Sequence, residues 1–261
     1  MREENKQCRV ISIVNQKGGV GKTTTSVNLA SYLSELGKKV CLIDFDPQGN
    51  ASSGVGIKKD SIQDSIYTAL HDPEAIAKCI YPTPFKNLHV IPSTCDLAGA
   101  EAEFMGDVSR ETKLKKALSP LHSIYDYIII DCPPSLSILT INALVASHET
   151  LIPLQCEYFA LEGVSQLLST LKLIKRQLNK TLVIGGIVLT MYDPRTSLNK
   201  SVVKNTREFF KDLVFETIIP RNVRLAEAPS HGLPISLYSP QSKGGFYYSK
   251  LAKELVSRET V

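Results

Sequence analysis

One stretch limits the possible folds of this chain more than any other: residues 15–25, "NQKGGVGKTTT". It follows the β-branched run "RVISIVN" (9–15) and leads into a helical pattern, "TTTSVNLASYLSELG" (23–37), that ends on Gly37. A glycine-rich turn between a strand and a helix aims unpaired backbone N–H groups at one spot, where the helix dipole also favours an anion. Gly18, Gly19 and Gly21 supply the curl, with Val20 among them on the binding loop, Lys22 the cation for the β- and γ-phosphates, and Thr23 a hydroxyl for Mg²⁺, with Thr24 beside it. The ordinary pattern, G-x-x-x-x-G-K-[ST], asks for glycine at position 16. Gln16 stands there instead, and a second lysine, Lys17, follows at once.

The rest of the chain repeats the strand–helix rhythm. Strand-like runs lie at 39–46, 87–93, 125–134, 150–155, 182–193, 216–222 and 234–238, with helical stretches at 110–118, 159–177 and 198–213. The run "YDYIIIDCPP" is almost continuously apolar, as a strand buried on both faces requires. Alternation of this kind predicts an α/β fold, doubly wound, with a mostly parallel sheet, helices on both faces and ligands at the carboxyl ends of the strands. With no repeat, low-complexity tract or linker, the expectation is one P-loop domain spanning residues 1–261.

Three aspartates fall at predicted strand ends. Asp131 closes "YIIID", the placement of a carboxylate aimed at a metal and its waters. Asp44 and Asp46 in "DFDP" are two apart, which in an extended chain puts both on one face. One can hold a metal-bound water while the other orients the attacking water. Any one of the three could merely cap a turn. Together with a phosphate loop they outline a site for a nucleotide and Mg²⁺.

Composition excludes several alternatives. No apolar run approaches the length of a membrane span, and the polar start "MREENKQC" does not read as a signal peptide. The six cysteines are scattered without a C-x-x-C pair, as expected of reduced thiols in a reducing compartment. A formal charge of +4 does not announce nucleic acid, yet residues 195–224 hold seven Lys/Arg against three acids and so carry as much. At about 100° per residue, Lys200, Lys204, Arg207 and Lys211 share one helical stripe, with Val202, Val203, Phe209, Phe210 and Leu213 roughly opposite, toward the core.

Taken together, "KGGVGKTT", "DFDPQGN", "YDYIIIDCPPSL", "LTMYDPRTS" and "IPRNVRLAEAPSHG" resemble the ParA/Soj family of chromosome- and plasmid-partitioning ATPases, in its Soj-like chromosomal branch. The resemblance covers nearly the whole chain, and no N-terminal DNA-binding extension of the kind common in plasmid relatives is expected. It implies a Mg²⁺-dependent ATP hydrolase that forms a homodimer with ATP. In such a dimer Lys17 acts across the interface on the partner's phosphates, Asp46 is the hydrolysis-critical aspartate, Asp131 is the Walker-B residue, and Pro220 and Asn222 lie near the adenine. The resemblance further implies non-specific binding of double-stranded DNA through Arg195 and Arg224, a ParB/Spo0J-type centromere-binding partner, and a cytoplasmic, nucleoid-associated location. Two alternatives share the phosphate loop. A MinD-like membrane switch needs a strongly basic amphipathic C-terminal helix, whereas the charges of "YYSKLAKELVSRETV" nearly cancel, so a helix docked on the core is expected. An iron–sulfur reductase needs a cysteine pattern that Cys132 does not match, so no iron–sulfur cluster and no membrane partner are expected.

Overall fold

The computed structural model describes residues 8–157 and 160–258. Seven strands form one sheet: β1 (Arg9–Ile13), β2 (Val40–Asp44), β3 (Tyr81–Pro82), β4 (Leu88–Ile91), β5 (Tyr127–Asp131), β6 (Glu149–Gln155) and β7 (Val183–Thr190). Their order is β3-β4-β2-β5-β1-β6-β7, and every pairing is parallel except that of β3 with β4. From β1 the chain crosses to one side to make β2, and from β5 it crosses to the other side to make β6. The carboxyl end of β1 therefore stands where the strand order reverses, the usual place for a ligand in such a sheet.

Strict alternation assigns the central strands to two cores. Val10, Cys41, Ile43, Ile128 and Ile130 join one apolar cluster, while Ile11, Ile13, Val40, Leu42, Tyr127 and Ile129 join the other. All of these side chains are buried, so both sheet faces must be covered by helices. The helices are α1 (Lys22–Glu35), α2 (Asn50–Gly54), α3 (Ile66–His71), α4 (Leu97–Glu103), α5 (Lys113–Leu118) and α6 (Ile138–Ala146). They continue with α7 (Ala160–Gln177), α8 (Ser197–Phe210), α9 (Val223–Glu227), α10 (Ile235–Tyr238) and α11 (Lys243–Ser257). The doubly wound, mostly parallel architecture expected from the strand–helix rhythm is what the chain adopts.

Two of the expected strands take other forms. Residues 216–222 run along the free edge of β7 but make only an isolated parallel bridge, Tyr192 with Pro220, besides one from Val214 to Ile187. Pro220 has no N–H to continue a ladder. The stretch 234–238 holds the single helical turn α10, with Pro234 as its extended N-cap. The expected helix 198–213 ends at Phe210. Lys211 has φ +48 and steps into a short 3₁₀ turn, so it leaves the stripe of Lys200, Lys204 and Arg207. Phe209 is exposed rather than packed, while Val202 and Phe210 are buried. The first residue of the expected helix 159–177, Phe159, lies outside the described residues.

The C-terminal helix docks on the core, as its balanced charge predicts. Tyr248, Leu251, Ala252 and Leu255 of α11 are buried against the second cluster, each leucine contributing roughly 1.5–3 kcal/mol.

Candidate nucleotide-binding site

Between Ile13 and Lys22 the chain turns at the carboxyl edge of the sheet, where parallel register sets Ile13 beside Asp131 and Asp131 beside Asp44. Gly19 and Gly21 have φ of +74 and +91, conformations that a side chain would strain. Gly21 is also the N-cap of α1, so the free N–H groups of that helix face the loop. Gln16, in the position of the missing glycine, is an anchor: its amide donates to the Gly163 carbonyl (3.0 Å) and to Gln166 Oε1 (3.2 Å) on α7. Asn15 ties the same turn to β6 through the Pro153 carbonyl and accepts from Lys17 N–H.

A cavity of about 330 Å³ opens above this turn, lined by Gly18, Gly19, Gly21, Lys22, Thr23, Thr24, Asp46, Gln48, Asn50, Pro134 and Met191. A second, of about 350 Å³, continues from it and shares Gly21, Thr24 and Met191; Pro220, Asn222, Val223, Leu225 and Tyr248 are among its walls. The first is the more polar of the two, and the second is mostly apolar. Together they form a trough with room for a nucleoside triphosphate.

Lys22 is buried, and its ammonium donates to the Lys17 carbonyl at 3.2 Å. Burial lowers its pKa, against the upward pull of Asp131, Cys132 and Asp46. Asp131 is fully buried and accepts from Thr23 Oγ1 (2.8 Å) and Ser26 Oγ (2.7 Å). Burial, reinforced by the neighbouring Asp44 charge, pushes its carboxyl up to about 7 despite those bonds. A buried carboxylate of this kind is poised to trade a proton for a cation. Its donor set, one hydroxyl and one carboxylate beside room for phosphate oxygens, fits Mg²⁺, which keeps several of its waters. Among the described residues no cluster of three His, Cys, Asp or Glu side chains offers an all-protein metal cage.

Asp44 and Asp46 part company. Asp46 lines the phosphate cavity and accepts from the Gln48 N–H at 3.0 Å. Asp44, the last residue of β2, is fully buried behind it. Its Oδ2 accepts from the Ser52 N–H (2.7 Å) and Ser52 Oγ (2.6 Å), and its Oδ1 receives the Asp46 N–H at 3.4 Å. The strand stops at Asp44, so the extended geometry that would align the two carboxylates is absent. Asp44 thus fastens the start of α2, and with it the segment carrying Gln48 and Asn50. Sequence reasoning passed over Gln48, Asn50, Ser26, Met191 and Tyr248 as site residues. The first two were visible in "DFDPQGN", whereas Tyr248 reaches the site only through the packing of α11.

The Lys17 ammonium pairs with Glu157 Oε2 at 2.7 Å, both side chains being about half exposed. The cysteines stand apart from this chemistry: five are buried thiols, and Cys132, next to Asp131, is held well above its ordinary pKa by burial.

Arg221 lines the second cavity, and Arg224 stands between two of its wall residues, Val223 and Leu225. Asn222 caps α9 by accepting the Arg224 N–H (2.9 Å), and Arg224 pairs with Glu227 at 2.8 Å. Arg195, in the loop before α8, is exposed and pairs with Asp193 at 2.6 Å, holding that carboxyl down at about 2. Lys200 and Lys204 are exposed on α8, Lys204 lying 3.8 Å from Glu208. Arg207 is more enclosed and is bound to Glu216 through both its carboxylate (3.0 Å) and its carbonyl (3.2 Å).

Fold, loop and buried carboxylate together define a P-loop nucleotide hydrolase of the kind with an extra lysine at the head of the loop. Comparison with known proteins narrows this. A model of the AAA domain family matches residues 8–184. The chain is 55% identical to the sporulation initiation inhibitor protein Soj of Bacillus subtilis, over 95% of this chain and 98% of that one. It is 54% identical to the chromosome partitioning protein ParA of Myxococcus xanthus, over 97% of this chain and 89% of that one. Among solved structures it resembles a cobyrinic acid a,c-diamide synthase of Mycobacterium smegmatis with bound ADP and magnesium, at a TM-score of 0.85 and 34% identity, over 97% of this chain and 95% of that one. The chain belongs to the ParA/Soj family of chromosome-partitioning ATPases.

Proposed function

We propose that this chain, acting as a single P-loop unit, is an ATP-switched partitioning ATPase. It takes up ATP with Mg²⁺, closes as a homodimer, and in that form binds double-stranded DNA without sequence preference. Hydrolysis, stimulated by a ParB/Spo0J-type centromere-binding partner, then releases the DNA. Its place is the cytoplasm, on the nucleoid. The observation that carries the reading is the continuous trough, with Lys22, Thr23 and Asp46 at one end and Pro220 and Asn222 at the other.

The chemistry follows from the side chains. Triphosphate charge favours the ammonium form of Lys22 that burial disfavours. The loop N–H groups hold the phosphate oxygens in place. Thr23 and Asp131 would hold Mg²⁺, whose charge offsets that building on the phosphates. Asp46, on the wall of the phosphate cavity, orients the attacking water. Lys17, delivered by a second subunit, adds a cation to the γ-phosphate in the manner of an arginine finger. DNA contacts by Arg195, Arg224 and the α8 cations, with Lys211 at its end, go to phosphates, which gives affinity without sequence reading.

A MinD-like membrane switch is the less supported reading. The apolar face of α11 is spent on the core, and among the described residues no helix is long and apolar enough to cross a membrane. Paired co-sedimentation with DNA and with anionic liposomes, each with and without ATP, separates the two. ATP-dependent pelleting with DNA alone is the expected result, and ATP-dependent pelleting with liposomes alone would reverse the assignment.

A further inference from the structure

The proposed function requires Lys17 to leave its own subunit, yet in the single chain this lysine already has a partner. Its ammonium lies 2.7 Å from Glu157 Oε2. Glu157 is not a chance neighbour on a loose loop. It sits directly after the end of β6, its backbone N–H turned back on the Gln155 carbonyl, and the Gln155 side-chain amide donates to its other oxygen, Oε1. The Cys156 N–H is fixed to the Thr190 carbonyl of β7. On the other side, the backbone of Lys17 is held by Asn15 and the preceding Gln16 by α7. Both ends of the ion pair are therefore positioned by the fold.

We infer that Glu157 is a positioning residue that parks Lys17 in the monomer, and that this intramolecular ion pair is a latch which must open before two ATP-bound subunits can close. The inference rests on the reading of Lys17 as a residue that acts across the interface. The competition is between one carboxylate at hand and a more highly charged triphosphate on another chain. In the monomer the carboxylate wins because it has no rival. When an ATP-bound partner approaches, the triphosphate outbids it, since charge-assisted bonds to several phosphate oxygens exceed one half-exposed ion pair. Without ATP on the partner the latch stays shut, so it raises the threshold for nucleotide-free association.

A half-exposed pair of this kind is worth about a two- to fivefold factor in an equilibrium. Two latches open per dimer, so removing them should tighten the dimer dissociation constant by about four- to twenty-five-fold, the two sites being treated as independent. The test is Glu157→Gln, which keeps shape and removes charge, measured by sedimentation velocity with a slowly hydrolysed ATP analogue. Dimerisation should tighten by that factor, while analogue affinity of the monomer stays at the wild-type value and Tm falls by no more than about 4 °C. The gap to wild type should shrink as salt rises, because an exposed pair is screened. Glu157→Asp, which restores the charge on a shorter arm, should fall between the two. A Glu157→Gln dimer no tighter than wild type overturns the latch, and a weaker one assigns Glu157 to the interface itself. Lys17→Ala run alongside tells the two failures apart. If it dimerises like wild type, the action of Lys17 across the interface is wrong. If it stays monomeric while Glu157→Gln matches wild type, only the latch is wrong.

Discussion

Replacing Asp131 with Asn should convert a pH-dependent weakness of the nucleotide-free protein into a pH-independent one. Asp131 has no exposed surface, and its carboxyl is raised from 3.8 to about 7, chiefly by burial and then by Asp44. The folded protein therefore holds a proton that the unfolded chain releases. A group raised in this way contributes its full stability below the unfolded value of 3.8 and has lost it once pH passes about 7. At about 1.4 kcal/mol per pH unit, the loss approaches about 4 kcal/mol. Asn cannot ionise, and the Thr23 and Ser26 hydroxyls can turn to meet its amide. The assay is urea unfolding of both proteins without nucleotide from pH 4.5 to 8, read as the difference between them so that titrating groups not coupled to Asp131 cancel. Wild type should lose ground steadily to Asp131→Asn up to about pH 7 and then run parallel to it. At pH 8, Mg²⁺ with ATP should stabilise wild type more than the variant, since only wild type presents a carboxylate to the cation. A difference that stays flat across the range would refute the buried, proton-holding carboxylate.

Lys17→Ala should leave a folded, ATP-binding monomer, because the side chain it removes is about half exposed and makes a surface ion pair; size-exclusion chromatography with a slowly hydrolysed analogue checks for the missing dimer. Asp46→Ala should bind ATP and dimerise but turn over at least about a hundredfold more slowly, about 2.7 kcal/mol of barrier, as read by phosphate release. Wild-type turnover would move the water-orienting role elsewhere, and the position of Asp44 behind Ser52 makes it a poor heir. Arg195→Glu and Arg224→Glu should each remove most DNA binding while sparing ATP binding and dimerisation, measured by fluorescence anisotropy on a labelled duplex. Neutralising Lys200 or Lys204 should weaken binding to all sequences alike and lower the log–log salt slope by about one unit per lost contact.

Periodicity carried most of the sheet. β1, β2, β4, β5 and β7 each fall inside a run readable from the sequence and β6 begins one residue before its run, because strands buried on both faces keep polar positions few. It failed where tertiary contacts decide. "PISLY" alternates like a strand but forms a helical turn with Pro234 as its N-cap. The stripe ending in Lys211 was broken by a backbone reversal that no spacing rule foresees. Two-residue β3 is too short to carry a signal. In the site, the loop glycines, Lys22, Thr23 and Asp131 were legible because their chemistry demands a fixed spacing. Spacing alone could not separate Asp44 from Asp46, since what distinguishes them is Ser52, eight residues after Asp44 and on another element. Nor could it reveal Glu157, which meets Lys17 across 140 residues.

On the proposed function, ATP changes DNA affinity through assembly: two copies of a modest basic surface would engage one duplex, the second at high effective concentration. The direct measurement is a titration of a non-specific duplex with the protein in ATP, in ADP and without nucleotide, with the mass of the bound species recorded in each case. The account predicts tight, salt-sensitive binding only with ATP, and only at the mass of a dimer. A monomer that binds the duplex as tightly in ADP, or without nucleotide, as the dimer does in ATP would contradict it.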